Sequence, residues 1–382
     1  MMKKITIIGA GLMGRLLAWR LSRAGYAVTL YDAGPEDSTC SAAHTAAAMV
    51  APVAERPLCH DSVFYAGCRS LELWPVLLDE LYSCTGMRVH INRSGTVLVA
   101  HAADQAEMLS FERDLTRAGI YRSDLVTQLS GTELRKTEPG LSPEFNGGYL
   151  LPSEAQIDNR SLLPALLAAA RKHGAECIFN SPLDINDDGF FFNGMPLQAD
   201  LFIDCRGAGA GQNNGIRGVR GETLWVECPE VDIRRPVRLL HPRYHLYLVP
   251  RGNGVYQLGA TELESADRSP VSVRSAMEML SAVWTLAPEF AEARILSMET
   301  NLRPASSNHR PVITMTDNRL FINGLFRHGY LLAPALLEKL EREFGLPLGI
   351  SDSPCESDLE NYESAASKRN NHKTQEVLCP EF

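Results

Sequence analysis

The sequence lacks the features by which proteins bind nucleic acids. Its 382 residues include 37 Lys and Arg against 46 Asp and Glu, which gives a formal net charge of −9, and they contain no run of basic residues. Binding to phosphates requires a clustered excess of Lys and Arg. We therefore expect no nucleic-acid partner, and the mild acidity is interpreted as favouring solubility.

Patterns typical of metal sites and disulfide frameworks are also missing. Nine cysteines are scattered along the chain without a CxxC motif or a Cys/His metal spacing. An odd, unpatterned set of this kind is typical of reduced thiols in the cytoplasm. The sequence therefore predicts no metal centre.

Long apolar runs are absent as well. No window approaches the roughly 18 to 20 apolar residues that are needed to cross a bilayer. The start of the chain, Lys3-Lys4 followed by Ile5–Ile8, resembles an export signal, but the apolar run breaks at glycines and Arg15 follows. We expect a cytoplasmic protein without membrane contact. Because 45% of its residues are apolar and 22% are charged, the chain is expected to fold, and its length fits two interleaved domains.

The N-terminal segment has the pattern of a dinucleotide-binding loop. The β-branched run Ile5–Ile8 ends in a GxGxxG motif, apolar residues then recur at helical spacing, and a second strand ends at an acidic residue. The glycines permit a tight turn, a close approach to a pyrophosphate and close packing of the helix on the strand. The helix N-terminus favours phosphate charge, and the acid can accept hydrogen bonds from a ribose hydroxyl. The residues predicted to bind an adenosine diphosphate moiety are Gly9, Gly11, Leu12, Met13, Gly14 and Asp32.

The tract Cys40–Pro52 distinguishes FAD from NAD. A nicotinamide dehydrogenase should continue directly into a further helix and strand, whereas this tract consists almost entirely of small side chains. Small residues allow main chain to lie against a large flat ligand such as a flavin. An ordinary Ala-rich surface helix is the alternative. The cofactor contacts predicted in this tract are Thr45, Ala46, Ala47 and Met49.

These motifs resemble the D-amino-acid oxidase superfamily, in particular the FAD-dependent glycine oxidases of proteobacterial thiamine biosynthesis. Further matches follow in the order found in that family, at Pro152–Asp158, Asp200–Gly209, Asn301–Pro304 and Asn323–Pro334. The first of them leads into a predicted helix from about Arg160 to Lys172, with Asp158 as its N-cap. One departure is Ala48, where most members carry glycine. We expect this departure to have no effect on FAD binding.

The resemblance implies an α/β fold. A Rossmann-like FAD-binding domain of the glutathione-reductase type, with a parallel sheet, would carry an inserted substrate domain with a mixed or antiparallel sheet. The FAD-binding domain is expected over residues 1–85, 149–215 and 303–350, and the substrate domain over residues 86–148 and 216–302. Alternating segments at 95–100, 223–227 and 244–249 favour strands in the substrate domain. Residues 351–382 contain few apolar residues and are predicted to form a disordered tail.

The resemblance also implies how a substrate is held. Arg303 matches the family arginine that binds the substrate carboxylate, and a guanidinium can grip a carboxylate through two parallel hydrogen bonds. Tyr247 matches a tyrosine whose hydroxyl helps to hold that carboxylate; a core tyrosine is the alternative. Glu262 occupies a position where some glycine oxidases have methionine. Its carboxylate would either pair with a substrate ammonium or face solvent.

The segment Asn323–Pro334 is predicted to open a helix that runs to Phe344, with Pro334 in its first turn. The helix N-terminus would point at the flavin ring, where negative charge develops on reduction. Arg327 matches a family arginine near flavin and substrate, although the family often has Gly-His-x-Arg where this chain has Gly-Leu-Phe-Arg. His328 is interpreted as either a contact or a loop residue. The cofactor contacts implied for this end of the chain are Gly207, Arg327, His328, Gly329, Tyr330 and Leu331, and the implied catalytic residues are Tyr247, Arg303 and Arg327.

The activity implied by the resemblance is oxidation of glycine or another small amino acid to its imine. Hydride would pass to flavin N5, and reoxidation by O2 would give H2O2, with the imine supplying thiamine thiazole synthesis. One alternative is an FAD-dependent dehydrogenase or oxidase of another amine, such as sarcosine, a D-amino acid or an opine, with a quinone as acceptor. Another is a flavoprotein partner without turnover. His44 lies near the point where some relatives attach FAD covalently, but out of register. We also expect a homo-oligomer.

Overall fold

The computed structural model describes residues 3–186 and 189–350, so the predicted disordered tail lies outside the described residues. The α-helices, in chain order, are α1 (Leu12–Arg23), α2 (Ala42–Thr45), α3 (Pro52–Glu55), α4 (Asp61–Thr85), α5 (Gln105–Arg117), α6 (Gly131–Thr137), α7 (Asn159–Lys172), α8 (Val273–Leu286) and α9 (Gly329–Phe344). The β-strands are β1 (Lys4–Ile8), β2 (Ala27–Tyr31), β3 (Met49–Val50), β4 (Ile91–Asn92), β5 (Thr96–Ala100), β6 (Thr127–Ser130), β7 (Gly147–Leu151), β8 (Ala155–Ile157), β9 (Glu176–Ile178), β10 (Asp184–Asn186), β11 (Gly189–Phe192), β12 (Met195–Pro196), β13 (Leu201–Asp204), β14 (Arg217–Glu227), β15 (Val237–His241), β16 (Tyr244–Gly252), β17 (Val255–Gly259), β18 (Arg294–Ala305), β19 (Val312–Thr316) and β20 (Arg319–Asn323).

The first large sheet has six strands in the order β19-β20-β13-β1-β2-β9. Its pairs β20-β13, β13-β1, β1-β2 and β2-β9 are parallel, and only the edge pair β19-β20 within this sheet is antiparallel. Parallel strands need helical crossovers, and α1 and α7 pack together beside this sheet. The strand β1 and the start of α1 therefore place the glycine loop at the carboxyl edge of a parallel sheet.

The second large sheet has eight strands in the order β18-β14-β17-β16-β15-β5-β7-β6. Its pairs are antiparallel except for the parallel pair β15-β5. A parallel sheet combined with a separate, mostly antiparallel sheet confirms the predicted α/β fold class.

Two strands run across boundaries that the sequence suggested. The predicted domain boundary at 148/149 lies inside β7, and the boundary at 302/303 lies inside β18. Each of these strands is continuous across the predicted boundary, so the boundary does not coincide with the end of an element. The division into an FAD-binding and a substrate domain stays a prediction.

Most of the predicted helices form as expected. The helix α7 begins after Asp158, whose side chain accepts a hydrogen bond from the Arg160 amide, as predicted for its N-cap. Pro334 lies in the second turn of α9 and not in the first, because the helix begins at Gly329. A proline cannot donate to the Tyr330 carbonyl one turn earlier, and Trp74 Nε1 donates to that oxygen at 2.8 Å.

The larger of the hydrophobic clusters surrounds the parallel sheet and its helices, and a second cluster lies between the eight-stranded sheet and α8. Across residues 3–186 and 189–350, none of the helices combines the length and the apolar character that a membrane span requires.

Candidate active site

A cavity of about 1130 Å³ is lined by residues from both large sheets. Pockets for single small ligands are typically about 300–1,000 Å³, so this cavity has room for an extended ligand. It brings together nearly all of the predicted site residues: Gly9, Gly11, Leu12, Met13, Asp32, Thr45, Ala46, Ala47, Met49, Gly207, Tyr247, Glu262, Arg303, Arg327, His328, Gly329, Tyr330 and Leu331. Gly14, predicted to bind cofactor, is not among the described lining residues.

The glycine loop forms one end of this cavity. Gly9 has a φ of +101°, and a Cβ there would lie 2.6 Å from the Cys205 carbonyl oxygen, so only glycine fits. A Cβ at Gly14 would lie 1.8 Å from the Gly9 oxygen, which explains the place of Gly14 against the loop and outside the cavity. The helix α1 has Gly11 as its N-cap residue and therefore lacks a side-chain cap. Its first amide groups can therefore bind an anion.

Asp32 supports the loop from the end of β2. Its Oδ2 accepts a hydrogen bond from the Ala10 amide and its Oδ1 accepts one from the Gly34 amide at 2.7 Å. A carboxylate has about four acceptor positions, so these bonds leave room for ribose hydroxyls. Buried Arg15 holds the loop from the other side, because its Nε donates to the Ala10 oxygen at 2.8 Å.

The small-residue tract is a wall of the cavity and not a surface helix. Its helix α2 has only four residues, and the chain then turns into the short strand β3. The Asn159 side chain fixes the turn, since its Nδ2 donates to the carbonyls of Ala43 at 2.9 Å and His44 at 2.7 Å. Ala48 adopts a φ of +55°, a left-handed conformation that favours glycine. The glycine that the resemblance implies at this position would adopt this conformation without strain.

The contacts of His44 do not support a role in the covalent attachment of FAD. Its Nε2 contacts Arg160 Nη1, and His44 is absent from the described residues that line the cavity. Burial lowers the pKa of His44, and the neighbouring Arg160 acts in the same direction. The imidazole is therefore held in a side-chain contact beside the cavity.

Arg303 lies in the cavity wall with part of its guanidinium open. Its Nη1 donates to the Thr261 carbonyl oxygen at 2.9 Å. Among residues 3–186 and 189–350, no carboxylate forms an ion pair with Arg303. Burial lowers the pKa of Arg303, which reflects the cost of holding this unpaired cation away from water. An anion in the cavity would relieve that cost.

Two glycines make room for Arg303 and Tyr247. A Cβ at Gly221 would lie 2.6 Å from Arg303 Nη1, and a Cβ at Gly259 would lie 2.9 Å from the Tyr247 hydroxyl. Tyr247 on β16 pairs directly with Gly259 on β17. The two side chains therefore occupy space that neighbouring strands leave free.

Arg327 is bound by protein carboxylates. Its Nη1 donates to Glu262 Oε2 at 3.2 Å and its Nε pairs with Glu55 Oε2 at 2.9 Å. Glu262 thus forms an ion pair with Arg327, and its side chain is 45% exposed. Burial alone would lower the pKa of Arg327, but Glu55 and Glu262 outweigh it and raise the pKa.

The lining residues that sequence reasoning missed include Ser38, Glu55 and Arg238. Arg238 Nη2 donates to Glu55 Oε1 at 2.6 Å across 183 residues of chain. Such a contact leaves no local pattern. Ser38 is a buried residue with a φ of +64°, and neither value can be read from a serine in a polar loop.

Comparisons with known proteins agree with this geometry. Residues 4–338 match the family described as FAD dependent oxidoreductase. The chain is 35% identical over 341 residues to the putative thiamine biosynthesis oxidoreductase ThiO of Rhizobium etli, covering 89% of this chain and 95% of that protein. It is 26% identical over 363 residues to the glycine oxidase of Geobacillus kaustophilus, covering 90% and 94% of the two chains. The crystal structure of glycine oxidase from Geobacillus kaustophilus superposes with a TM-score of 0.76 at 21% identity, covering 94% of this chain and 98% of that one.

The chain belongs to the FAD dependent oxidoreductase family. The predicted resemblance, the prediction of an enzyme and the prediction of FAD as cofactor are confirmed. Oxidoreductases of this family need both a dinucleotide site and a place for the flavin ring, and one continuous cavity provides both here.

The residues present fit FAD. Four buried polar atoms of residues that line the cavity lack a hydrogen-bond partner within the described structure, namely Ser38 Oγ, Thr223 Oγ1, Arg238 Nε and His328 Nδ1. Buried polar groups are normally paired, so a polar ligand along this cavity would satisfy them. The helix α9 also begins without a side-chain cap. FAD fits both uncapped N-termini: its phosphates suit the start of α1, and its polar flavin ring suits the start of α9.

Proposed function

We propose that this enzyme oxidises glycine, or another small amino acid, to its imine and passes the electrons to O2 to give H2O2. The observation that carries the proposal is Arg303, a half-buried guanidinium without a carboxylate partner in the described structure, in the cavity that also contains the dinucleotide loop. A substrate carboxylate supplies the missing anion. The names of the relatives from Rhizobium etli and Geobacillus kaustophilus support the same activity.

Arg303 and Tyr247 bind and orient the substrate in this proposal. The free N–H groups of Arg303 bind the carboxylate. Burial raises the pKa of Tyr247, although Arg303 opposes it, so the phenol stays protonated and donates a hydrogen bond to the same carboxylate. Two fixed contacts at one end hold the α-carbon in place, and positioning contributes most of the rate enhancement.

FAD, when bound, supplies the acceptor for the hydride of the α-carbon. The electron count then closes without a metal: glycine loses two electrons and two protons to become the imine, and O2 gains both to become H2O2. The loop residues Gly9 to Met13 and Asp32 would hold the ADP part, and the tract Thr45–Met49 with the first turn of α9 would hold the flavin. Gly207, in the turn that follows β13, lines the same cavity and would contact the cofactor.

The deciding experiment is anaerobic mixing of the FAD-loaded enzyme with glycine while the flavin absorbance is followed. Loss of the yellow absorbance, followed by H2O2 release when O2 is admitted, is the expected result. The panel includes sarcosine, a D-amino acid and an opine. Faster bleaching by one of these would replace glycine as substrate, bleaching without H2O2 would indicate another acceptor such as a quinone, and no bleaching with any amine would indicate a flavoprotein without turnover.

We further propose that the imine supplies thiamine thiazole synthesis, as the name of the Rhizobium etli relative suggests. Expression in a thiamine-requiring bacterium that lacks its own glycine oxidase should restore growth without added thiazole. An Arg303→Ala variant should not restore it. The homo-oligomer expected from the sequence also stays a prediction, which light scattering of the purified enzyme would test.

A further inference from the structure

Glu55 is a buried carboxylate at the end of α3, and it faces three cationic or polar side chains. Its Oε1 accepts from Arg238 Nη2 at 2.6 Å and from Arg327 Nη2 at 3.2 Å. Its Oε2 lies 2.9 Å from Arg327 Nε and 3.1 Å from His328 Nε2. Only 8% of the Glu55 side chain is exposed. One carboxylate therefore joins α3, the strand β15 and the loop before α9.

The contact with Arg327 fixes the plane of its guanidinium. Nε and Nη2 bind the two oxygens of Glu55, which is the two-point geometry that a planar fork allows. A guanidinium has a second parallel pair of N–H groups on Nη1 and Nη2. Glu55 leaves that second pair available to another carboxylate, although Glu262 shares Nη1.

The charge on Glu55 is maintained by its partners. Burial alone would raise the pKa of Glu55, but Arg327 and Arg238 outweigh burial, and the pKa lies well below its ordinary value. Without this anion, Arg238 would have no carboxylate partner in the described structure, and Arg327 would keep only its contact with Glu262. An unpaired buried charge is costly, so both side chains would leave the orientations in which Glu55 holds them.

The helix that carries Glu55 is itself anchored. Glu154, which is fully buried, accepts a hydrogen bond from the Ala54 amide at 2.7 Å. The two residues are 100 positions apart in the chain. Glu154 lies directly before β8. The position of Glu55 is therefore fixed by a contact with that distant segment as well as by the short helix α3.

We infer that Glu55 is a positioning residue for substrate binding, which holds Arg327 beside Arg303 so that the two arginines receive one substrate carboxylate. The inference rests on the proposed function for the identity of the substrate. It does not depend on turnover, because a simple carboxylate such as acetate would occupy the same position.

The test uses the FAD-loaded enzyme and the variant Glu55→Gln. Glutamine keeps the shape but removes the charge that fixes Arg327. We expect the KM for glycine and the Kd for acetate, read from the change in flavin absorbance, each to rise about tenfold. The kcat should change less, and the FAD content should stay that of the wild type. Unchanged KM and Kd in a fully loaded variant would overturn the inference.

The matched control is Glu138→Gln. Glu138 is a fully buried carboxylate that accepts from the Arg234 amide at 2.8 Å and pairs with Arg235, outside the cavity. This variant should lose stability without any change in KM or acetate binding. A rise in acetate Kd equal to that of Glu55→Gln would mean that loss of any buried charge loosens the site, and the positioning role would fall.

A charge-balanced variant covers the case in which Glu55→Gln does not retain FAD. The double change Glu55→Gln with Arg238→Gln removes one anion and one cation together, so no unpaired charge is added. Weakened acetate binding in this variant supports the inference, and wild-type acetate binding overturns it. If the wild type binds acetate but does not oxidise glycine, the proposed function fails while the role of Glu55 stands.

Discussion

The two ends of the cavity are built in different ways. At the dinucleotide end, the loop is supported by Arg15, five residues from Ala10, and by Asp32, 22 residues from Ala10. At the substrate end, Glu55 binds Arg238 across 183 residues and Arg327 across 272 residues. The first end is a local motif, and the second end forms only when distant segments meet. Changes at the two ends should therefore have separable effects on cofactor and substrate.

The largest effect is expected for Arg303→Ala at the substrate end. Loss of the open guanidinium should raise the KM for the amino acid by about 3 kcal/mol, roughly 150-fold, because the substrate carboxylate is left without its cation. The FAD content, measured by absorbance after gel filtration, should not change. Arg294→Ala, at the exposed start of the same strand, is the control. A wild-type KM in Arg303→Ala would remove this residue from the site.

The next largest effect is the pH dependence of stability that comes from Glu154, the buried carboxylate that anchors α3. Burial raises the pKa of Glu154 from 4.5 to about 7. Between these values the folded state keeps the proton that the unfolded state has lost, so this group's contribution to stability is complete below pH 4.5 and is lost as the pH rises through 7. In Glu154→Gln this loss is absent. The free energy of unfolding of the variant relative to wild type should therefore increase by about 2 kcal/mol between pH 5 and pH 7, measured by urea denaturation. A pH-independent difference would contradict the raised pKa.

Asp32→Ala should act at the dinucleotide end alone. It leaves the amides of Ala10 and Gly34 without their carboxylate acceptor. The Kd for FAD should rise by about 2 kcal/mol, roughly 30-fold, measured by fluorescence titration of the apoenzyme. The KM of the enzyme assayed in excess FAD should stay that of the wild type. Asp37→Ala, exposed in the neighbouring loop, serves as control, and equal FAD affinity in both variants would count against the role of Asp32.

Gly221→Ala tests the substrate end of the cavity by displacing the Arg303 side chain. The added Cβ would meet Arg303 Nη1 at 2.6 Å, and the flexible end of Arg303 can shift while the strand stays in place. We expect the KM to rise about tenfold, about 1.4 kcal/mol, with little loss of stability. Gly218→Ala on the same strand would contact Leu302 instead and should leave the KM unchanged. Equal effects of the two variants would show that strand distortion, not Arg303, is responsible.

The smallest effect is expected for Ala48→Gly. The left-handed φ of +55° at Ala48 costs an alanine about 1 kcal/mol or more, and the greater freedom of glycine in the unfolded chain offsets part of the gain. The free energy of unfolding should rise by about 0.5 kcal/mol in urea denaturation. Ala46→Gly, in the same tract but with a φ of −62°, should instead destabilise the protein. Destabilisation by both changes would show that Ala48 is not strained.

The sequence by itself determined the fold class, the cofactor and the dinucleotide loop. The spacing of Gly9, Gly11 and Gly14 and the position of Asp32 depend on one strand, one turn and one helix, and the physics of such a unit is local. The same holds for the N-cap Asp158 of α7. The residues Arg303 and Tyr247 could be named only because a family resemblance supplied their roles.

Only the tertiary structure decided which arginine is open and which is paired. Nothing in the segment Ala51-Pro52-Val53-Ala54-Glu55 distinguishes its carboxylate from an ordinary helix end, and Arg238 follows Val237 in what reads as a plain strand. Their contact depends on the packing of α3 against the eight-stranded sheet, and burial then turns a weak surface attraction into a strong one, because water no longer screens the charges. The local periodicity of a sequence cannot predict such long-range pairs.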